Sequence, residues 1–400
     1  MPSVPLRYPL RCFILLLAGT GAVRATFLSK TNPSSATTLR SEVEDQEQRF
    51  SLAFQILDNG IEERALPAAS VAITHLGKLV ALKALGRFTY ESDSPAVATD
   101  TIFDLASVSK VVATTTIAMI LYDRGLLDLE APLSGTIPEF AGEDKRRRDV
   151  TLRMLLAHSS GLPAYEKLYL RATTRDALLQ GASSVALKFD PGTHAEYSDI
   201  GFILFGVALE RIAKQSLDRF CQIEIFGPLG MAHTTFNPPT SWTSKIAPTA
   251  DDRAFRKRII QGEVQDENTS VMGGVAGHAG LFSTARDMAA FAHAMLTGGA
   301  PIVRPETVTF FTRREAQPAG TSRALGWDTP SSPSQSGKSF SSSAFGHLGY
   351  TGTSLWIDPD RKLSVTLLTN RTWPDCSNHA IKELRPRFHD AIIEALECSS

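Results

Sequence analysis

The segment from Ala106 to Arg124 is covered by apolar or small residues around most of a helical circumference. These residues are Val108, Val111, Val112, Thr115, Ala118, Ile120 and Leu121. A helix that is apolar on nearly every side is enclosed by the rest of its protein, and Gly125 is well placed to end this one. The chain therefore has to fold around a fully buried helix.

The composition can supply such a core. Four hundred residues, of which 43% are hydrophobic, suffice for one large domain or for two lobes. Basic residues number 41 and acidic residues 42, so charge gives no reason to expect nucleic acid or an anionic membrane surface as a partner. The basic run Lys145–Arg148 is flanked by acidic residues, and we predict a solvated loop there rather than a binding patch.

The N-terminus has the pattern of a secretory signal. Arg7 and Arg11 precede an apolar run at residues 12–23. The sequence Val23-Arg24-Ala25 then supplies small residues at the spacing that a signal peptidase recognises. About a dozen apolar residues are too few for a spanning helix, which needs roughly 20. We predict a signal peptide cleaved after Ala25, a flexible lead at 26–40 and a secreted or periplasmic protein. A buried first helix or an uncleaved anchor is the alternative.

The spacing of apolar residues predicts further elements. Besides the buried helix, predicted helices cover 41–58, 152–156, 203–214, 287–296 and 378–397. A hairpin is predicted at 70–88 with its turn at Leu76-Gly77-Lys78, and strands at 354–359 and 363–369. The Ser-, Gly- and Pro-rich stretch Gly320–Ser343 is typical of a loop.

Strands thus lie near both ends of the chain, with helices between them. This order predicts an α+β fold with two lobes. An antiparallel sheet would form from the two ends, with flanking helices, and a mostly helical lobe at about 126–343 would be inserted into a catalytic domain at 41–400. The cleft between the lobes would be the natural site.

The cysteines do not form a disulfide framework. Without the signal, Cys221, Cys376 and Cys398 remain, with no CxxC pair or Cys/His cluster at zinc spacing. A Cys376–Cys398 bridge is one option in an oxidising compartment. We expect no metal and no organic cofactor.

The sequence Ser107-Val108-Ser109-Lys110 opens the buried helix. Residues three apart share a helix face, so the Ser107 hydroxyl and the Lys110 amine can meet. Because burial lowers the pKa of an amine, Lys110 could accept a proton and make Ser107 a nucleophile. An N-cap serine beside a snorkelling lysine is the alternative. Burial argues against it, because an unpaired lysine inside an apolar helix is costly.

This motif and two later ones resemble the penicillin-binding proteins, the class C β-lactamases and the related esterases and D-aminopeptidases. Ser107–Lys110 resembles their first motif, SxxK. Tyr197-Ser198-Asp199 resembles the second, and His347-Leu348-Gly349 the third, followed as in the family by a strand at Ser354-Leu355-Trp356-Ile357. The resemblance runs from about Ser41 to the C-terminus, in the family's order, and implies a β-lactamase/transpeptidase-like fold.

The resemblance also implies a mechanism. Tyr197 would lie beside Ser107 and Lys110 and pass protons to and from the serine and the leaving group. The backbone N–H groups of Ser107 and Tyr350 would form an oxyanion hole. Acyl transfer would then proceed through a Ser107 ester that water hydrolyses. Asp199, His347, Gly349 and His278 are the substrate-binding candidates.

Two of these candidates depart from the family pattern. Asp199 stands where Asn is usual, and an ionised Asp only accepts hydrogen bonds. It could pair with Lys110 and shift the base role towards Tyr197. His347 replaces a lysine that helps to bind a substrate carboxylate in β-lactamases and carboxypeptidases, and imidazole is mostly neutral at pH 7. Both changes favour an esterase, amidase or D-amino-acid peptidase.

Other activities remain open. They are a β-lactamase or D-Ala-D-Ala carboxypeptidase, an acyl transferase that uses an amine or alcohol acceptor, and a non-catalytic binding or sensing protein on the same scaffold. The chain contains no Gly-x-Ser-x-Gly elbow, which argues against an α/β-hydrolase triad. We therefore interpret His158 as structural. For His278, substrate contact and loop bracing are both open.

Overall fold

Eleven strands occur in a computed structural model that describes residues 39–398. They are β1 (Arg40–Ser41), β2 (Ala68–His75), β3 (Lys78–Gly86), β4 (Phe103–Asp104), β5 (Thr235–Phe236), β6 (Ala250–Asp252), β7 (Arg258–Ile260), β8 (Leu281–Ser283), β9 (Phe345–Leu348), β10 (Ser354–Asp358) and β11 (Leu363–Thr369). The predicted signal peptide and its cleavage site lie outside the described residues, as does the lead up to residue 38.

Most α-helices lie between β4 and β9 in the chain. The helices are α1 (Gln46–Arg49), α2 (Ser51–Glu62), α3 (Thr116–Asp123), α4 (Leu133–Thr136), α5 (Leu152–Leu156), α6 (Arg175–Ser184), α7 (Asp199–Ala213), α8 (Leu217–Cys221), α9 (Gly227–Leu229), α10 (Glu267–Val271), α11 (Ala285–Leu296), α12 (Pro305–Thr312) and α13 (Ile381–Glu397). Among residues 39–398, none of these helices combines the length and apolar character needed to cross a membrane.

The main sheet joins the two ends of the chain, as the sequence predicts. Its strand order is β1–β3–β2–β11–β10–β9. All neighbours are antiparallel except the short β1, which runs parallel to β3. The β2–β3 hairpin turns at Leu76 and Gly77, both with positive φ. Gly77 suits that conformation because it has no Cβ.

Both faces of the sheet are covered, which explains why its strands are apolar on consecutive residues. Val71 and Ile73 of β2 belong to one core, which α2 and α13 close. Ala68 and Ala72 of the same strand face the larger core, where α11 packs on β2 and β11. Successive side chains of a strand point to opposite faces, so β2 contributes to both cores.

The first predicted helix begins later than residue 41. Arg40 and Ser41 pair with Lys78 and Leu79 as strand β1, so the last residue of the predicted lead belongs to the sheet. The helix itself divides into α1 and α2 at the fully buried Phe50. The boundary was missed because a two-residue edge strand carries no periodic signal.

Helices outnumber strands between β3 and β9, and this region also contains two small sheets. One sheet has the order β4–β8–β5 and the other pairs β6 with β7. Residues 39–398 fall within one compact unit. The division into two lobes and the inserted helical lobe at about 126–343 stay predictions.

The basic run at 145–148 is not a solvated loop throughout. It forms a 3-10 turn in which Arg147 is buried and donates hydrogen bonds to the carbonyls of Phe140, Ser183 and Val185. The prediction is wrong for Arg147, because a guanidinium can satisfy several buried carbonyls at once.

The three cysteines of the described residues are free thiols. Cys221 is buried, whereas Cys376 and Cys398 are exposed. The Cys376–Cys398 bridge is therefore not formed in this structure.

Candidate active site

The candidate nucleophile follows a strained turn. Ala106, the residue before Ser107, has a φ of +46°, a conformation that is uncommon for a residue with a Cβ and that often marks functional sites. The predicted Ala106–Arg124 helix is continuous and buried, but it opens with a 3-10 turn at Ala106–Val108 and a wide π turn at Lys110–Thr115 before α3 begins. It ends at Gly125, which has a positive φ.

Asp104 holds this turn in place. One carboxylate oxygen accepts the N–H of Ala106 at 2.8 Å, and the other accepts the N–H of Gln265 at 2.7 Å. Its carbonyl accepts the Thr351 hydroxyl at 2.9 Å. Burial raises the pKa of Asp104 to about 6, although the two amides oppose that shift. Asp104 thus ties the turn before Ser107 to two distant segments of the chain.

The three candidate catalytic side chains lie together. The Nζ of Lys110 donates to the Oγ of Ser107 at 3.0 Å, and the Tyr197 hydroxyl donates to the same Oγ at 2.7 Å. Lys110 is fully buried, and its Nζ lies 4.9 Å from the centre of the Tyr197 ring. Two proton-exchanging groups therefore converge on one hydroxyl.

Two further oxygens hold Lys110. Its Nζ donates to the Oδ1 of Asp199 at 2.6 Å and to the carbonyl of His278 at 2.9 Å. Burial lowers the pKa of Lys110, and the charge of Asp199 opposes this shift without reversing it. Burial, followed by the charge of Asp199, raises the pKa of Tyr197 well above its ordinary value. The resting site therefore favours a phenol over a phenolate at Tyr197.

His158 braces the segment that carries Tyr197. Its Nδ1 accepts the N–H of Ser198 at 3.0 Å, and its ring lies 4.7 Å from that of Tyr197. The hydroxyl of Ser198 accepts the N–H of Gly201, which caps α7. Burial lowers the pKa of His158 well below its ordinary value. These contacts fit the structural role that the sequence predicts for His158.

His278 forms part of the cleft wall and is braced from behind. Its Nε2 lies 2.8 Å from the Oδ1 of Asp266 and 3.1 Å from the Thr269 hydroxyl. Burial alone would raise the pKa of Asp266, but His278 and Thr269 outweigh it and hold that pKa at about 2. The carbonyl of His278 also accepts a hydrogen bond from Lys110. These contacts fit a bracing role for His278 better than substrate contact alone.

The end of β9 forms another wall of the cleft. His347 is buried, and burial lowers its pKa to about 3. Its Nδ1 lies 2.8 Å from the Leu348 carbonyl oxygen. Because a carbonyl only accepts, Nδ1 carries the proton and donates the hydrogen bond to Leu348. A Cβ on Gly349 would lie 2.6 Å from the Leu105 carbonyl oxygen. Only glycine lets the end of β9 lie this close to the turn before Ser107.

These walls enclose a cleft of about 710 Å³, a volume typical of small-molecule sites. The sequence-predicted residues that line it are Ser107, Tyr197, Asp199, His278, His347, Gly349 and Tyr350. Lys110 lies beneath them. Three residues were not predicted from the sequence. Asp104 lies below the turn at Ala106 and Ser107, called the nucleophile turn, and Arg323 and Asp328 lie on the cleft wall. The last two belong to the predicted Gly320–Ser343 loop, where spacing carries no signal.

Comparisons with known proteins agree with this fold. The N-acetylmuramyl-L-alanine amidase of Bacillus subtilis (strain 168) is 32% identical over 342 residues, which cover 76% of this chain and 77% of the relative. Two solved structures have the same fold. EstCE1, described as a hydrolase with promiscuous acyltransferase activity, superposes with a TM-score of 0.72 at 20% identity and covers 87% of this chain and 99% of its own. A β-lactamase from Sulfitobacter sp. EE-36 gives 0.70 at 23% identity, with coverage of 88% and 99%.

A sequence model of the beta-lactamase family matches residues 53–384. The match spans most of the chain and includes all three motifs around the cleft. The protein is therefore a serine hydrolase that belongs to the beta-lactamase family.

Proposed function

We propose that this protein hydrolyses an amide bond through an acyl-enzyme on Ser107. The observation that carries the proposal is the convergence of Lys110 at 3.0 Å and Tyr197 at 2.7 Å on the Oγ of Ser107. A nucleophile in hydrogen-bond reach of a base, with that base oriented by a third group, is the arrangement that covalent catalysis requires. Here Asp199 and the His278 carbonyl orient Lys110.

The proton path follows from the pKa directions. When Lys110 is uncharged, its Nζ accepts the Ser107 proton as Oγ attacks the substrate carbonyl carbon. Tyr197, whose pKa is raised, keeps its proton until the C–N bond breaks and then gives it to the leaving nitrogen. The proton held by Lys110 restores the phenol. Water then attacks the ester, which releases the acid and regenerates the Ser107 hydroxyl.

In this mechanism the backbone N–H groups of Ser107 and Tyr350 form the oxyanion hole. Tyr350 directly follows Gly349, which brings the end of β9 against the nucleophile turn. Loss of one such donor typically costs about 100- to 1,000-fold in turnover.

Two observations favour an open-chain amide over a β-lactam, which is a cyclic amide, as the substrate. The B. subtilis relative, which shares 32% identity, is named as an amidase of N-acetylmuramyl-L-alanine. At the third motif, His347 is neutral because burial lowers its pKa to about 3. It therefore offers no charge to a β-lactam carboxylate.

A fluorophosphonate probe followed by a substrate panel tests the proposal. Wild type should be labelled, whereas Ser107→Ala should not be. N-acyl amino acids, short acyl esters, β-lactams and D-alanyl-D-alanine peptides would then be compared, with the mass of the acyl-enzyme measured at Ser107. Equal labelling of Ser107→Ala would exclude the mechanism. Ligand binding without any turnover would instead favour a non-catalytic sensor.

We also propose that the protein is exported from the cytoplasm. The basic residues Arg7 and Arg11, the apolar run at 12–23 and the small residues up to Ala25 support cleavage after Ala25. N-terminal sequencing of the protein recovered from outside the cytoplasm should begin at Thr26. Recovery of an intact N-terminus would contradict cleavage.

A further inference from the structure

The carboxylate of Asp104 is buried beneath the nucleophile turn, and only 1% of this residue is exposed. Its two oxygens accept the N–H groups of Ala106 at 2.8 Å and of Gln265 at 2.7 Å. Within residues 39–398 it forms no salt bridge, and Arg256, which acts on its pKa, is paired with Asp252 instead. A buried charge without an ion pair is costly. This cost points to a role for the two N–H groups that Asp104 holds.

The first of these N–H groups belongs to a strained residue. Ala106 has a φ of +46°, a conformation that a residue with a Cβ keeps only when surrounding contacts hold it. The Ser107 N–H lies in the next peptide plane, so its direction is set by the backbone angles of Ala106. The hydrogen bond from Ala106 to Asp104 therefore helps to aim the Ser107 N–H.

The second N–H group belongs to a segment that is braced from its other side. The carbonyls of Val264 and Gln265 accept hydrogen bonds from Arg256, each at 2.6 Å. Arg256 is itself held by the Asp252 carboxylate at 2.8 Å, and both of these side chains are less than one-tenth exposed. The Asp104 carboxylate thus ties a strained turn to a well-braced segment.

The main chain of Asp104 contacts the loop that carries the other candidate oxyanion donor. Its carbonyl accepts the hydroxyl of the fully buried Thr351 at 2.9 Å. Thr351 directly follows Tyr350, and its own carbonyl accepts the Arg371 N–H at 3.0 Å. One residue therefore contacts both the turn that carries the Ser107 N–H and the loop that carries the Tyr350 N–H.

We propose that Asp104 is a positioning residue, which fixes the Ser107 and Tyr350 N–H groups relative to each other and so sets the geometry of the oxyanion hole. The inference rests on the proposed function, in which these two N–H groups bind the oxyanion. Such donors lower the barrier because they are in place before the reaction, and a misplacement of about 1 Å can cost about 100-fold in rate. Asn is a poor substitute, since its amide has one acceptor oxygen and its NH2 group would face an N–H.

A matched pair of esters tests this role. The two share acyl and leaving groups, and in the thionoester the carbonyl oxygen is replaced by sulfur, a weak hydrogen-bond acceptor. The oxoester-to-thionoester ratio of kcat/KM, divided by the same ratio for hydroxide, measures how much the oxyanion hole contributes. In wild type this normalised ratio should be about 100 or more. In Asp104→Asn it should fall by about 10-fold or more, with kcat and kcat/KM for the oxoester falling together.

Two further variants separate positioning from loss of stability. Thr351→Val keeps the shape of the side chain and removes the hydroxyl bonded to Asp104, so its ratio should also fall. It remains a test if Asp104→Asn does not fold. Asp287→Asn is the control, because Asp287 is buried, accepts the His233 N–H at 2.8 Å and the Thr234 hydroxyl at 2.9 Å, and does not line the cleft. It should keep the wild-type ratio even if its melting temperature is lower.

The outcomes separate the two proposals. If the folded variants of Asp104 and Thr351, verified by thermal melting, keep a large wild-type ratio, Asp104 has no positioning role and the proposed function stands. The same follows if Asp287→Asn lowers the ratio equally, because general loosening of the fold would then explain the effect. A wild-type ratio near one, with acylation of Ser107, would remove the oxyanion hole from the mechanism and this inference with it. If neither ester acylates Ser107, the proposed function fails as well.

Discussion

The Nζ of Lys110 lies 2.6 Å from the Oδ1 of Asp199, and the Lys110 side chain is fully buried. A buried lysine without a partner would lose its proton readily, because burial disfavours the charged form. Asp199 counters that effect, so the pair sets how easily Lys110 becomes the base that Ser107 needs. This pairing gives Asp199 a role at the position where the family resemblance predicts Asn.

Asp199→Asn should therefore move the acidic limb of the pH dependence of kcat/KM to lower pH. Removing the negative charge lets burial lower the pKa of Lys110 further, because the charge of Asp199 is the largest influence that opposes burial. The pH–rate profiles of wild type and variant would be compared with one substrate. Glu267→Gln is a suitable control, since Glu267 lines the same cleft without contacting Lys110. An unmoved limb would show that titration of Lys110 does not govern acylation.

Asp104→Asn should change the pH dependence of stability. The pKa of Asp104 is raised from 3.8 to about 6, so the folded state binds its proton more tightly than the unfolded state. Its contribution to the free energy of unfolding is then fully present below about pH 4 and is lost as the pH rises to about 6. The loss amounts to about 3 kcal/mol.

Denaturant unfolding at pH 4, 5, 6 and 7 tests whether the contribution of Asp104 to the free energy of unfolding falls as the pH rises. The free energy of wild type minus that of Asp104→Asn should decrease by about 3 kcal/mol from pH 4 to pH 7. The variant cannot titrate at this position, so other pH effects cancel in the difference. Asp266 and Arg256 are the charged groups that act on Asp104. A difference that is constant with pH would refute the raised pKa.

Gly349→Ala should impair catalysis. The new Cβ would lie 2.6 Å from the Leu105 carbonyl and 3.1 Å from the Cβ of Thr353, so the end of β9 has to move away from the nucleophile turn. If Tyr350 supplies an oxyanion donor, kcat should fall by about 100-fold or more. Gly135→Ala is the control, because no atom lies within 4 Å of its Cβ position. Normal turnover in a folded Gly349→Ala protein would remove Tyr350 from the oxyanion hole.

Local sequence patterns were enough to predict four strands of the main sheet, β2, β3, β10 and β11, and the helix that carries Ser107. The β2–β3 hairpin carries its own turn signal at Leu76 and Gly77, and the SxxK spacing alone places Ser107 and Lys110 on one face. Tyr197 and Asp199 were found only through the family resemblance, because their contact with Ser107 and Lys110 joins segments about 90 residues apart.

The site residues that were not predicted make contacts between distant parts of the chain, and such contacts leave no periodic pattern in the sequence. Asp104 reaches Gln265 across 161 positions, and no spacing rule connects them. Arg323 lies in a loop whose composition predicts only irregular backbone, so its approach to Tyr197 depends on the tertiary fold. For the same reason the sequence could not show that His278 holds Lys110 through its main-chain carbonyl rather than its ring.

Modification of Cys376 should inhibit the enzyme. This exposed thiol lines the cleft, and it contacts the Tyr350 side chain, whose pKa is raised to about 12 by burial and then by this contact. A bulky maleimide on Cys376 would occupy the cleft mouth, so turnover should fall in proportion to the labelled fraction. Cys376→Ser should be insensitive although it retains the exposed Cys398 and the buried Cys221, because neither of these thiols lines the cleft. Equal inhibition of Cys376→Ser, with labelling mapped by peptide mass, would place the sensitive thiol elsewhere.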